Sequence, residues 1–84
     1  MLGHVAFSGS GILTIAAGKS SAKISGIPLV EDCFVLATLQ QYRAGVYVAA
    51  SVPSVTGQSI TIYLNAKVTT AIKVAWIVLG KFTA

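Results

Sequence analysis

Short runs of β-branched and aromatic residues, each ended by glycine, serine, proline or asparagine, recur along this whole chain. Valine, isoleucine and threonine supply 25 of its 84 residues, and their stiff, branched side chains fit a pleated sheet better than a helix. The pattern predicts about six strands and no helix of ordinary length. We therefore predict an all-β fold, a six-stranded antiparallel β-sandwich. It forms one domain over residues 1–84, of which residues 1–10 are a lead segment.

The strand boundaries follow the alternation of apolar and polar residues. A turn is expected at residues 8–11, and Pro28 and Pro53 are expected to end the second and fourth strands, because proline cannot donate to a strand ladder. In the sixth strand, Val74, Trp76 and Val78 are expected to lie opposite Ala75, Ile77 and Leu79. The predicted strands cover residues 12–16, 21–27, 34–40, 46–52, 59–65 and 72–79.

The low charge of the chain constrains what surrounds it. Charged residues make up 10% of the sequence, where roughly 25% is usual, and a core this small leaves much apolar surface exposed. The third and sixth strands are apolar on both faces, although a sandwich needs only one apolar face per strand. We expect the second faces to pack against copies of the same chain. The predicted interface comprises Val35, Ala37, Leu39, Ala75, Ile77 and Leu79.

Membrane and nucleic-acid partners are not expected. The longest apolar runs, residues 44–50 and 74–80, are shorter than the ~18 residues of a spanning helix. Residues 1–7 lack the basic and apolar regions of a secretory signal. The formal charge of +4 comes from single, scattered lysines and one arginine, without the clustered basic and aromatic residues that bind nucleic acid.

The sequence offers few groups for catalysis or metal binding. His4 is the only histidine, Glu31 and Asp32 are the only acids, and Cys33 is the only cysteine. A nucleophile needs a histidine base held by a third group, and a zinc site needs four ligands. We predict a protein that is not an enzyme, with no cofactor and no metal, and with Cys33 as a small buried hydrophobic residue.

From the third predicted strand onward, the sequence resembles a known protein family. Residues 34–39 (FVLATL), 45–57 (GVYVAASVPSVTG), 61–63 (TIY) and 74–80 (VAWIVLG) resemble, in this order, the H-type lectin fold shared by snail agglutinins, discoidin C-terminal domains and many bacteriophage tail-fibre tips. Residues 11–21 also resemble the ends of phage-tail and actinobacterial extracellular domains. The resemblance implies a homotrimer with a hydrophobic axis, a place in an extracellular or virion protein, and carbohydrate binding.

Ligand residues are predicted from chemistry and from that resemblance. H-type lectins place an arginine just before the fourth strand, close to the position of Arg43. Their acidic loop residue and their histidine or aromatic residue have no match among Gln40, Gln41, Asn65 and Ala66. Trp76 is expected in the core, and Tyr47 is expected on the surface. Amides, phenols and a guanidinium provide planar hydrogen bonding and stacking, so the candidate ligand residues are Gln40, Gln41, Tyr42, Arg43, Tyr63 and Asn65.

Two functions remain open from the sequence. The first is a trimeric β-sandwich module of a fibre or extracellular protein that acts in assembly and recognises a cell-surface glycan. The second is a purely structural module for oligomerisation or capsid decoration, without a ligand.

Overall fold

The described part of the chain folds into six β-strands. The computed structural model describes the backbone of residues 4–29 and 33–82, and the side chains of residues 9–29 and 33–80. The expectations for Glu31 and Asp32 lie outside the described residues, as does the side chain of His4. The strands are β1 (His4–Ile15), β2 (Ser21–Ser25), β3 (Phe34–Leu39), β4 (Val48–Ser54), β5 (Ser59–Leu64) and β6 (Ile72–Phe82).

The strands form two antiparallel sheets of three strands each. Sheet A has the order β1-β6-β3, and sheet B has the order β2-β5-β4. The central strand of each sheet, β6 or β5, is therefore paired on both sides. The prediction of an all-β fold with six antiparallel strands is confirmed, and the two sheets face each other as in a sandwich.

The core lies between the two sheets. Ile60 and Ile62 of sheet B are fully buried, as are Ile72, Val74 and Val78 of sheet A. This is the period-two alternation predicted for β5 and β6, with one face of each strand turned inward. The remaining buried core residues are Ile15, Ile27, Leu29, Val35, Leu64 and Val68.

β1 is longer than the sequence suggested. The turn predicted at residues 8–11 is wrong, because the strand begins at His4 and continues to Ile15, and residues 4–10 of the predicted lead segment belong to it. An irregularity between Phe7 and Gly9 shifts the register by one residue, as a β-bulge does. Glycine and serine therefore mark a bulge within the strand.

β4 differs from its prediction in facing and in length. A bulge between Val48 and Ala50 shifts the pairing with β5, so the expected single face of valines is broken. Ser51 turns inward, while Val52 is 47% exposed on the outer face. Pro53 does not end the strand: it pairs with Ile60 from an edge position, where proline is tolerated.

Three connections meet at one end of the sandwich. They are residues 16–20, 40–47 and 65–71, which we call the loop end. Gly18 N–H donates to the Val68 carbonyl at 2.7 Å, and Val68 N–H donates to the Lys19 carbonyl at 3.0 Å. His4 pairs with Phe82, so the start of β1 and the end of β6 lie together at the opposite end.

Candidate interaction surface

The outer face of sheet A is apolar across all three strands. Two of its cross-strand pairs join β3 to β6, Phe34 with Leu79 and Leu36 with Ile77, and a third joins β1 to β6 through Ala75. These residues alternate with the buried ones and so point away from the core. We call this surface the apolar face: Ile12, Phe34, Leu36, Ala75, Ile77 and Leu79.

The largest side chains of the apolar face are open to solvent. Ile12 is 61% exposed, Leu36 53% and Phe34 45%. A shallow groove of about 250 Å³ runs between β3 and β6, lined by Leu36, Ala37, Thr38, Ala75, Trp76 and Ile77. Contiguous exposed apolar surface of this kind typically marks a protein contact.

Polar residues lie at the margins of the apolar face. Ser10, Thr14 and Thr38 point outward beside it, and Lys73 pairs with Thr14 at one end. Among the described side chains, Lys73 is the only charged one on this face of sheet A. The outer face of sheet B is more polar, since exposed Lys23 lies on it. The two sheets therefore present chemically different surfaces.

The predicted interface residues divide between the two faces of sheet A. Ala75, Ile77 and Leu79 lie on the apolar face as expected. Val35, Ala37 and Leu39 do not lie beside them, because these three belong to the core or pack against it. The β3–β6 register places Val35 opposite buried Val78 and Phe34 opposite outward Leu79. The prediction that all six residues share one surface is therefore wrong for the three residues of β3. Their positions are one residue out of step with the outward-facing positions of that strand.

The residues missed by that prediction are Ile12, Phe34 and Leu36. β3 is apolar at both sets of alternate positions, so its own sequence does not say which set faces the core. The signal that could have found them was pairing with β6. Phe34 and Leu36 pair with outward Leu79 and Ile77, and Ile12 of β1 pairs with outward Ala75.

The candidate ligand residues of the β3–β4 connection are displayed at the loop end. Gln40 and Gln41 are exposed, and Tyr42 is 93% exposed. Arg43 is half-buried, and its Nη1 donates to the Thr70 carbonyl at 2.7 Å. The guanidinium therefore ties the β3–β4 connection to the β5–β6 connection.

The side-chain amide of Asn65 makes hydrogen bonds to the backbone of the same chain. Its Oδ1 accepts from Tyr47 N–H at 2.8 Å, and its Nδ2 donates to the Gly45 carbonyl at 2.8 Å. The Asn65 backbone N–H also donates to the Tyr47 carbonyl, at 3.1 Å. These bonds hold residues 45–47 against the end of β5, so Asn65 acts as a structural clamp.

The aromatic residues lie where their alternation predicts. Tyr47 and Tyr63 are exposed, and Tyr63 lies on the outer face of sheet B, apart from residues 40–43. Trp76 packs against the core, as predicted. Its Nε1 is buried without a hydrogen-bond partner among the described residues.

The described residues contain no cluster of three or more histidine, cysteine, aspartate or glutamate side chains suited to a metal. Cys33 is half-buried and free. Across residues 4–29 and 33–82, no helix has the length and apolar character required to cross a bilayer.

Comparison of the chain with protein-family models, with curated proteins and with solved structures finds no match.

Proposed function

We propose that this chain is a non-enzymatic assembly module that joins three copies of itself through the apolar face of sheet A. Its setting is a fibre, extracellular or virion protein, as the H-type lectin resemblance implies. The observation that carries the proposal is the apolar face, where Ile12, Phe34 and Leu36 are each about half exposed in a single copy.

Burial of the apolar face favours self-association. Covering a large aliphatic or aromatic side chain completely contributes about 1.5–3 kcal/mol, and Ile12, Phe34 and Leu36 each have roughly half of that to gain. Self-association repeats the gain in every copy. The sparse charge of the face keeps the desolvation cost low, because Lys73 lies at its end and can stay in water.

The test is the molar mass in solution, measured by light scattering at micromolar concentration. The wild-type chain is expected to have the mass of three copies. Leu36→Asp places a carboxylate on the apolar face, beside Ile77 of the central strand, and is expected to give a folded monomer. The matched control is Val52→Asp, because Val52 is 47% exposed on the outer face of sheet B. A monomeric wild type, or equal masses for the two variants, would contradict the proposal.

A second candidate function is glycan recognition at the loop end. It is favoured by one observation: Tyr42 is 93% exposed beside the exposed amides of Gln40 and Gln41, a combination suited to stacking and hydrogen bonding with a sugar. A glycan array with wild type and Tyr42→Ala tests it. Binding that Tyr42→Ala abolishes supports recognition, and no binding by either protein leaves the purely structural function.

A further inference from the structure

The two edge strands of sheet A leave backbone groups turned outward. Gln40 N–H donates to the Lys73 carbonyl at 2.9 Å, which continues the β3–β6 ladder beyond Leu39. Backbone groups of alternate residues in an antiparallel pair point to opposite sides. The N–H and C=O groups of Ala37 and Leu39 therefore point away from β6. By the same alternation, those of Ile12 point to the free side of β1.

The edges of the two sheets differ in how they are protected. In sheet B, β4 carries a bulge and Pro53, and β2 is five residues long with exposed Lys23. Bulges, prolines, lysines and short strands are the usual means of preventing edge pairing. In sheet A, β3 (FVLATL) has no charge, proline or glycine. β1 has a bulge between Phe7 and Gly9, but residues 10–14 beyond it have neither charge nor proline.

The free edge of β3 borders a groove near the end of the strand. A groove of about 290 Å³ lies between β3 and the segment that leads into β4, lined by Ala37, Thr38, Leu39, Val46, Tyr47 and Val48. Among the described residues, no hydrogen bond reaches the backbone of Ala37 or Leu39 from this side. The edge is both open and unprotected.

We propose that, within the assembly proposed above, β3 of each copy pairs edge to edge with β1 of the next copy around a three-fold axis. Both strands are antiparallel to β6, so β1 and β3 of one copy run in the same direction. If the three-fold axis lies along the strands, β3 of one copy and β1 of the next also run in the same direction, and they pair as a parallel ladder. Because the contact joins two different edges, it is heterologous and closes into a ring. This inference rests on the proposed function and specifies its geometry.

Strand number is consistent with three copies. Three sheets of three strands each close into a barrel of nine strands. A barrel of about eight strands has an interior that side chains just fill. Two copies would give six strands and a narrower interior, and four would give twelve and an open one. In the nine-stranded barrel the apolar faces turn inward, and Leu36, Ile77 and Phe34 fill the interior.

Amide hydrogen exchange tests the pairing directly. The amides of Ala37 and Leu39 are expected to exchange at least about tenfold more slowly in the wild-type assembly than in monomeric Leu36→Asp. The amides of Leu36 and Thr38 point toward β6 and serve as internal references, protected in both proteins. Equal exchange of Ala37 and Leu39 in the two proteins would overturn the proposal.

Proline substitutions provide a second readout. Ala37→Pro removes an N–H on the free side of β3, so the chain is expected to keep the circular dichroism of the wild type and lose its trimeric mass. Thr38→Pro is the matched variant: it removes an N–H directed at β6 and is expected to disrupt the fold itself. A folded Ala37→Pro that remains a trimer would overturn the proposal, and if that variant does not fold, the exchange measurement decides.

The two proposals fail in different ways. A wild type that is monomeric at all concentrations overturns both. A trimer whose Ala37 and Leu39 amides exchange as in the monomer overturns only the edge pairing. An assembly of two or four copies overturns both the three-copy module and the nine-stranded ring.

Discussion

Trp76 lies directly across Gly11 of the neighbouring strand. The two residues are cross-strand partners, and a Cβ added to Gly11 would lie 3.2 Å from Cζ2 of the indole and 3.4 Å from its Nε1. The glycine leaves room for the ring between β1 and the core. A strand glycine is often explained by such a close approach.

Substitution of Gly11 by alanine is expected to destabilise the fold. The added methyl group would displace the indole, which is packed against the core. We expect Gly11→Ala to lower the free energy of unfolding by about 1 kcal/mol, measured by urea denaturation, and to shift the fluorescence of Trp76, the only tryptophan.

Gly9→Ala is the matched control. A Cβ at Gly9 would meet Trp76 at 3.7 Å and Ile27 at 3.8 Å, which is ordinary van der Waals contact. We expect Gly9→Ala to gain about 0.5 kcal/mol, because alanine loses less backbone entropy than glycine on folding. Equal stability of the two variants would show that the indole is not confined at Gly11.

Gln58 is expected to be important for stability. Its Oε1 accepts from Leu29 N–H at 3.0 Å, and its Nε2 donates to the Leu29 and Val55 carbonyls at 3.2 and 2.7 Å. Gln58→Ala leaves the N–H and the carbonyl of Leu29 without these partners, while the Val55 carbonyl keeps the bond from Gln58 N–H at 3.3 Å. The substitution should cost about 2 kcal/mol.

Urea denaturation of Gln58→Ala beside Gln41→Ala measures this effect, since Gln41 is exposed and its substitution should change little. A Gln58→Ala variant as stable as the wild type would mean that water replaces the three bonds without cost.

Asn65 is expected to matter for loop order more than for ligand binding. Asn65→Asp keeps the acceptor for Tyr47 N–H but replaces the donor to the Gly45 carbonyl with a carboxylate oxygen. We expect a loss of about 1 kcal/mol, because the carboxylate repels the Gly45 carbonyl. This repulsion should loosen residues 45–47 and speed amide exchange at Tyr47. Unchanged exchange together with lost glycan binding would contradict the clamp and restore Asn65 as a ligand residue.

Salt is expected to leave the assembly intact. Each copy carries a formal charge of +4 at pH 7, so association brings like charges together while burying apolar surface. Raising sodium chloride screens the repulsion, and sulfate strengthens apolar burial. Sedimentation velocity across a salt series should therefore show equal or tighter association. Dissociation by salt would indicate that ion pairs hold the copies together.

The sequence predicts the strands well where one set of alternate positions is polar. In β5, Thr61 and Tyr63 alternate with Ile60, Ile62 and Leu64, so its period identifies both the strand and its inner face. Trp76 is predicted in the core for another reason, because it lies within a continuous apolar strand.

Bulges and register are less visible in the sequence. The bulge at Ala49 depends on pairing with β5, and an alternating run such as residues 46–52 carries no sign of it. In β3, both alternate sets are apolar, so its facing is decided by its partner β6. The clamp of Asn65 and the bond from Arg43 to Thr70 also join distant segments. Polarity alone predicts those residues as ligand contacts.

Because His4 pairs with Phe82, the start of β1 and the end of β6 lie side by side. Only a short turn is needed to connect residue 82 back to residue 4, so a circularly permuted chain opened within residues 40–43 should keep every strand pair. The same geometry would allow the domain to be inserted into a surface loop of another protein. The β3–β4 connection would then lie at the end of the domain farthest from the insertion point.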